Sequence, residues 1–222
     1  MAEWAVIFDV DGVLLELTRE EEELFFIPFA SRCDARKLSR DWNSYRIRND
    51  EEIVAEIVER LGLPEVEKQR IQTEYLTLLQ DQLSKKLISS SKIKGARAIL
   101  STCAAFATLG IATANFREAA KLRLESAELW HHVSEHAYGA DGGGHKHEIL
   151  TRALRSINLP KSNIIYVGDN INDVEAGLMS GVRFIGFSEN ADRLKTLKAH
   201  GAEFLAQNHQ QTLAIINSFL ES

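Results

Sequence analysis

The segment that most constrains this chain is Trp4–Leu15, which reads WAVIFDVDGVLL. An apolar run bounded by Asp and Gly predicts a short buried strand. Because strand side chains alternate between faces, Asp9 and Asp11 are expected to point the same way at its carboxyl end. Two neighbouring carboxylates that lose hydration require a cation between them or a proton on one of them. An ordinary Asp-Gly turn is the alternative interpretation of this segment taken alone.

Two further apolar segments end in polar residues. GIAT ends in Thr113, and NIIYVGD ends in Asp169. Ligands of open parallel sheets bind at the carboxyl ends of the strands, so these side chains are expected to meet Asp9 and Asp11. The three aspartates would form an oxygen-rich group of the kind that suits Mg²⁺.

From Ile93 onward, helical and strand patterns alternate along the chain. This alternation favours an α/β fold with a doubly wound, Rossmann-like parallel sheet and right-handed crossovers. Strands are predicted at Gly110–Thr113, Val133–Ala137, Ile164–Val167, Arg183–Phe187 and Glu203–Leu205. Helices are predicted at Gly95–Leu109, Arg117–Leu129, His147–Ile157, Val174–Ser180, Ala191–Ala199 and Gln210–Leu220.

Residues 18–90 have a helical pattern throughout. Four helices are predicted: one with the acidic run Glu20–Glu23 in its first turn, one from Asp34, one capped by Asn49 or Asp50 and ended by Gly62, and one opened by Pro64. Four helices are too many for a simple crossover between two strands. The expected organisation is a core domain of residues 1–17 and 91–222 with an α-helical domain, 18–90, inserted into it.

Two segments outside the strand ends also contain candidate functional residues. Arg46 and Arg48 precede the third helix, where a loop of the insertion could face the site and recognise an anion or substrate; a solvated loop is the other interpretation. Lys146 opens a helix after the glycine run Gly142–Gly144. A lysine is unfavourable at the positive end of a helix, which indicates a requirement beyond folding. His145 and His147 are interpreted as surface residues.

Composition excludes several classes of protein. The chain has 222 residues, 45% hydrophobic and 26% charged, which suits a globular α/β protein. Its net charge of −6 argues against nucleic-acid binding. Cys33 and Cys103 lack disulfide or zinc spacing, and the N-terminus lacks a signal-peptide pattern, so a cytoplasmic location is expected. The uncharged run 98–116 is rich in alanine, serine and threonine and is not expected to span a membrane.

The ordered motifs DxDG, apolar-Thr, Lys and GDxxxD resemble those of the haloacid dehalogenase superfamily. Asp9/Asp11, Thr113, Lys146 and Asp169/Asp173 stand at the matching positions, and the resemblance covers essentially the whole chain. It implies a Rossmann-like core with a helical cap of the C1 type after the first strand. The chain departs from the KPxP form common in this superfamily, because His-Glu-Ile follows Lys146.

The resemblance also implies roles for these residues. Asp9 would be the nucleophile that forms an aspartyl-phosphate, and Asp11 the general acid and base. Asp9 and Asp169 would give carboxylate oxygens to Mg²⁺, and Asp11 its backbone carbonyl. The residues expected to bind the phosphate are Thr113, Ala114, Asn115 and Lys146, and those expected to orient the metal ligands are Asp173 and Asn170.

The function that the sequence favours is a Mg²⁺-dependent phosphatase acting on a small phosphorylated metabolite, such as phosphoglycolate or a sugar phosphate. A monomer or homodimer is expected. A phosphomutase of the β-phosphoglucomutase type is the main enzymatic alternative, since it would use Asp9 and Asp11 in the same way. Two non-catalytic alternatives are a phospho-signalling receiver, which would lack the helical insertion, and a binding scaffold that retains the motifs.

Overall fold

The computed structural model describes residues 3–34, 36 and 38–221. Its centre is a parallel six-stranded sheet with the strand order β3-β2-β1-β4-β5-β6. The strands are β1 Trp4–Phe8, β2 Ala107–Ala112, β3 Ala137–Tyr138, β4 Ile164–Gly168, β5 Arg183–Phe187 and β6 Phe204–Ala206. The main helices are α1 Arg19–Phe26, α2 Asp50–Arg60, α3 Val66–Ser84, α4 Ala96–Cys103, α5 Arg117–Ser126, α6 Lys146–Ile157, α7 Ile171–Ser180, α8 Ala191–Ala199 and α9 His209–Leu220.

Helices cover both faces of the sheet. Alternate residues of β1 point to opposite sides: Val6 and Phe8 pack in one apolar cluster with residues of α4, α5 and α9. Ala5 and Ile7 pack in another with residues of α6, α7 and α8. Strands buried on both faces read as continuous apolar runs, which is why β1 and β4 are recognisable in the sequence. The expected doubly wound α/β fold is confirmed.

The register of the central strands decides where their ends lie. Phe8 of β1 pairs with Ile111 of β2 on one side and with Val167 of β4 on the other. Beyond Phe8, the amide of Asp9 still donates to the carbonyl of Val167, over 2.8 Å. The residues that follow the three strands therefore emerge side by side at one edge of the sheet.

Helices α1, α2 and α3, here called the helical insertion, lie between β1 and β2. They enclose an apolar cluster that is rich in aromatic rings, among them Phe25, Phe26, Phe29 and Tyr75. Two antiparallel connecting segments join them to the rest of the chain: the Glu16 amide donates to Ser91 O and the Ile93 amide to Leu14 O. α1 begins with a capping box between Thr18 and Glu21.

Several predicted boundaries are corrected by the structure. The helix predicted to reach Leu109 ends at Cys103, and β2 begins at Ala107 rather than Gly110. Pairing of Ala107–Leu109 with Trp4–Val6 supplies sheet hydrogen bonds that override the helix propensity of the alanine-rich segment. β3 is only two residues long, because 3₁₀ turns occupy most of the segment predicted as a strand.

The helix predicted from Asp34 is also corrected for the residues that the structure describes. Arg36 has a 3₁₀ conformation, residues 38–41 are not helical, and a 3₁₀ turn follows at Trp42–Ser44, where Asp41 accepts a hydrogen bond from the Asn43 amide. Ala35 and Lys37 lie outside the described residues. Among the helices that are described, none is long and apolar enough to cross a membrane.

Candidate active site

Asp9 and Lys146 form a buried ion pair at the end of β1. Their side chains are 9% and 7% exposed, and Lys146 Nζ lies 2.8 Å from Asp9 Oδ1 and 2.9 Å from Asp173 Oδ1. Burial alone would lower the pKa of Lys146, but the carboxylates of Asp173 and Asp9 outweigh that effect and raise it. Lys146 is therefore a fixed positive charge, although it occupies the first turn of α6.

Three carboxylates lie close together beside this lysine. Oxygen atoms of Asp9, Asp169 and Asp173 lie within 4.8 Å of one another. Burial, together with the charges of Asp173 and Asp169, raises the pKa of Asp9 well above its ordinary value despite Lys146. Burial and Asp173 raise the pKa of Asp169 to about 7, although Arg193 opposes them. The group carries excess negative charge in an all-oxygen setting, which fits a hard divalent cation.

Asp173 is held in place by several hydrogen bonds. Its Oδ1 accepts from the Tyr166 hydroxyl at 2.5 Å as well as from Lys146. Its Oδ2 accepts from the amides of Asp169 and Asn170, at 3.2 and 3.0 Å. Asn170 in turn caps α7. Asp173 thus contacts both the lysine and the loop that carries Asp169.

Asp11 is not part of this group. Its Oδ1 lies 2.7 Å from Nη1 of Arg123, a buried arginine of α5. Sequence analysis did not identify Arg123, although a signal is present: it occupies an apolar-stripe position, three residues after Ala120 and four before Ala127.

A second arginine at the site, Arg193, was also not identified from the sequence. Its guanidinium lies 2.9 Å from Asp169 Oδ2 and donates to the Asp169 carbonyl at 2.7 Å.

The loop after β2 lies beside the aspartates. Thr113 is buried, its amide donates to Tyr138 O, and its hydroxyl accepts from the Asn115 amide at 3.2 Å. The first turn of α2 rests on this loop: the Asp50 amide donates to Ala114 O, and the Phe116 amide donates to Asp50 Oδ2 at 2.8 Å. Burial raises the pKa of Asp50 to about 7.

The glycine run before Lys146 is a second contact for α2. The Asn49 side-chain amide donates to Gly144 O at 2.6 Å. The amides of Gly142 and Gly144 donate to Glu51 and Glu52 at 2.7 and 3.0 Å. The glycine run thus contacts the helical insertion through its backbone groups, close in sequence to Lys146, which pairs with Asp9.

A cavity of about 300 Å³ lies between the strand ends and the helical insertion. Its polar floor includes Asp9, Asp11, Thr113, Lys146 and Asp169, and its wall includes Phe25, Trp42, Ile53 and Tyr75. Ala114, Asn115, Asn170, Asp173 and Arg48 also line it.

Of Arg46 and Arg48, the two arginines predicted to face the site, only Arg48 lines this cavity. Arg46 lies outside it, paired with Glu59 and Glu56. The group of three carboxylates is the only candidate metal site in the described part of the chain, and it contains neither His145 nor His147.

The chain matches the haloacid dehalogenase-like hydrolases over residues 6–187, and it belongs to that family. The expectation of a hydrolase with this fold is confirmed. In a comparison with curated proteins, no protein matches the sequence.

Solved structures with the same fold include several bound to phosphate compounds. CbbY from Rhodobacter sphaeroides in complex with phosphate has a TM-score of 0.72 and 17% identity, covering 94% of this chain and 95% of that chain. A CbbY mutant with xylulose-(1,5)bisphosphate has a TM-score of 0.70, with the same identity and coverage. A family hydrolase from Deinococcus radiodurans R1 with bound phosphate and sodium has a TM-score of 0.63 and 20% identity, covering 99% and 97%.

Proposed function

We propose that this hydrolase is a Mg²⁺-dependent phosphatase that cleaves a small phosphorylated metabolite through an aspartyl-phosphate on Asp9. The observation that carries the proposal is the buried Asp9–Lys146 pair within a group of three carboxylates on the floor of the cavity. The phosphate compounds bound by CbbY and the Deinococcus hydrolase are consistent with it.

Asp9 is assigned as the nucleophile. A carboxylate oxygen of Asp9 attacks the phosphorus atom, the bond from phosphorus to the ester oxygen breaks, and an acyl phosphate forms. Asp11 gives its proton to the departing alcohol and then takes a proton from the water that attacks the acyl phosphate. Inorganic phosphate leaves, and both carboxyl groups return to their starting states. Lys146 neutralises charge beside the transferred group throughout.

Asp9 and Asp169 would hold the Mg²⁺ ion with the backbone carbonyl of Asp11, while Asp173 and Asn170 orient them. The ion would supply positive charge to the phosphate oxygens during transfer. The Thr113 hydroxyl, the Ala114 amide and Asn115 bind the phosphate from the side of β2.

Residues 18–90 are proposed to act as a cap domain on a core of residues 1–17 and 91–222. The cap supplies the aromatic wall and Arg48, and it excludes water from the floor while α2 rests on the loops at 113–116 and 142–144. The cap therefore selects the alcohol part of the substrate, while the floor performs the reaction.

Phosphate release from a panel of small phosphate esters, with Mg²⁺ or EDTA, tests this proposal. Release that needs Mg²⁺ supports a phosphatase, and the best ester identifies the substrate class. Isomerisation of a sugar phosphate without net release would support the mutase alternative instead. If protein shown to be folded neither releases phosphate nor isomerises a sugar phosphate, that result would contradict an enzymatic role.

Mg²⁺ is expected to stabilise the protein more at pH 8 than at pH 6. Burial raises the pKa of Asp169 in the folded, metal-free protein to about 7, so the metal-free protein loses stability as the pH rises from about 4 to about 7. The pKa of Asp9 is raised as well, and it acts in the same direction. The ion replaces the lost protons. At a Mg²⁺ concentration 100 times Kd, the melting temperature at pH 8 should rise by roughly 5–10 °C. Thermal unfolding with and without EDTA measures this; an equal rise at both pH values would contradict it.

Gly12→Ala is expected to weaken Mg²⁺ binding at least about tenfold. Gly12 has a φ of +74°, and a Cβ there would lie 2.3 Å from Asp169 Oδ2, which displaces a proposed ligand. The matched control is Gly62→Ala, because Gly62 has a φ of +65° with nothing within 4 Å of the added Cβ. Both variants suffer backbone strain of about 1–2 kcal/mol. Calorimetric titration with Mg²⁺ should separate them, and equal affinities would show that the collision does not matter.

Arg48→Gln is expected to raise KM for the best ester of the panel roughly tenfold and to leave kcat within about threefold. Arg48 lines the cavity from the helical insertion, and no ion pair joins its guanidinium to a carboxylate among the described residues. Arg46→Gln is the control, since Arg46 already pairs with two glutamates outside the cavity. Identical KM values for Arg48→Gln and the unchanged protein would remove Arg48 from substrate recognition.

A further inference from the structure

Arg123 makes an unusually complete set of contacts. Its side chain is 3% exposed, and each of its five N–H donors has an acceptor. Nε donates to Glu21 Oε1 at 2.9 Å. Nη1 donates to Asp11 Oδ1 at 2.7 Å and to Asn115 Oδ1 at 3.2 Å. Nη2 donates to Glu16 O at 3.1 Å and to Glu21 Oε2 at 3.3 Å. The guanidinium has no donor left for a substrate.

These acceptors come from both sides of the junction with the helical insertion. Glu16 lies on the first connecting segment, and Glu21 is in the first turn of α1. The hydroxyl of Ser90, at the second connecting segment, donates to Glu21 Oε1 at 2.9 Å. Arg123 itself belongs to α5, which packs on the sheet. Its guanidinium therefore joins Asp11 directly to the first connecting segment and to α1, and Glu21 extends this connection to Ser90 of the second segment.

Asp11 depends on this contact for its side-chain position. Arg123 is the only hydrogen-bond partner of the Asp11 carboxyl group among the described residues, and it uses Oδ1. Oδ2 accepts no hydrogen bond from that part of the chain, and the residue lines the cavity. One oxygen is thus anchored while the other is left for the substrate. Without the anchor, rotation about the side-chain bonds would let the carboxyl group leave this orientation.

We propose that Arg123 is a positioning residue, which fixes the Asp11 carboxyl group for proton transfer and makes its position depend on how α1 is seated against the sheet. This inference rests on the proposed function, in which Asp11 protonates the leaving oxygen. A proton donor must lie within hydrogen-bond reach of that oxygen. Because Arg123 holds Asp11 and is itself held by Glu16 and Glu21, Asp11 is in position only when the helical insertion is seated against the sheet.

The test compares Arg123→Lys with the unchanged protein on two esters, 4-nitrophenyl phosphate and the best alkyl phosphate of the panel. Lysine keeps the charge but cannot reach all five acceptors. Nitrophenolate is a stable anion and leaves without being protonated, whereas the alcohol of an alkyl ester must receive a proton as it leaves. The leaving-group step is isolated by measuring release of the alcohol or phenol in a single turnover; we expect its rate to fall roughly 30-fold with the alkyl ester and to change less than about threefold with the aryl ester. Hydrolysis of the acyl phosphate, for which Asp11 is the proposed base, should slow to the same extent with both esters. Arg97→Lys, the same change at an exposed arginine of α4, should leave both rates unchanged.

A double variant separates positioning from general damage. Adding Arg123→Lys to Asp11→Asn should cost nothing further on the alkyl ester, because the group being positioned is gone. Equal losses on the two esters in the single-turnover release step, or additive losses in the double variant, would overturn the proposal and leave Arg123 a structural residue. Either result leaves the phosphatase proposal standing.

A spectroscopic measurement covers the case in which neither ester is cleaved, which would contradict the proposed function itself. Glu21→Gln keeps Arg123 and Asp11 but weakens the tie to α1. The ¹³C resonance of the Asp11 carboxyl group is expected to move in this variant and to stay in place in Arg97→Lys. An unchanged Asp11 resonance in Glu21→Gln would overturn the coupling, whatever the activity.

Discussion

Asp9→Asn is expected to lower phosphate release by roughly 10⁴-fold or more, to the level of the assay background. An amide cannot form the acyl phosphate on which the proposed reaction depends. The fold should survive, because the amide fills the same buried space and removes a carboxylate whose pKa is already raised by burial. Initial rates with the best ester, beside thermal unfolding of the same preparation, measure both effects.

Asp192→Asn is the matched control for this substitution. Asp192 is an exposed residue of α8 that pairs with Lys195, so the same chemical change there should alter neither rate nor stability. Activity above one-tenth of the unchanged protein in Asp9→Asn would show that Asp9 is not the nucleophile. A loss of activity together with loss of the folded state would instead make Asp9 a residue needed for folding.

Lys146→Met is expected to lower kcat by roughly 10²–10³-fold and to destabilise the metal-free protein by about 3–5 kcal/mol. Both effects have one cause: methionine removes the single cation that Asp9 and Asp173 share, at 2.8 and 2.9 Å, and leaves their carboxylates buried together. Mg²⁺ should restore part of the stability by neutralising the same carboxylates, but it should not restore the rate. Denaturant unfolding with Mg²⁺ or EDTA, and initial rates, measure the two losses.

Lys195→Met provides the comparison for Lys146→Met. Lys195 is an exposed lysine that pairs with Asp192 on α8, and its replacement should have little effect, because exposed ion pairs contribute little to stability. A kcat within about threefold of the unchanged protein in Lys146→Met would contradict the role of Lys146 at the reacting group.

The floor of the cavity was predictable from sequence because it depends on local patterns. The apolar run of β1 followed by Asp9 and Asp11, and the run of β4 followed by Asp169, identify two buried strands and what emerges from their ends. Parallel pairing at a common register then brings these ends together, as the pairing of Phe8 with Val167 shows. The end of α4 was misjudged because its alanines suit a helix and a strand pattern begins only weakly at Ala107.

The contacts between the insertion and the rest of the chain could not be predicted. The Asn49–Gly144 hydrogen bond joins residues that are far apart in sequence, and nothing local to either indicates the other. Arg46 and Arg48 are two positions apart, yet only the fold decides that Arg48 lines the cavity and Arg46 pairs with glutamates of α2. Arg123 would have been assigned to solvent, as most helix arginines are.

The measurement that tests the central claim most directly is chemical identification of the phosphorylated residue. The protein is mixed with the best ester and Mg²⁺, quenched in acid during turnover, reduced with borohydride and digested for mass spectrometry. An aspartyl-phosphate is reduced to homoserine, so the account predicts homoserine at position 9 and unmodified aspartate at positions 11, 169 and 173. Homoserine at another of these positions, or none at position 9 in a sample shown by rapid quench to hold a covalent phosphoenzyme, would contradict it.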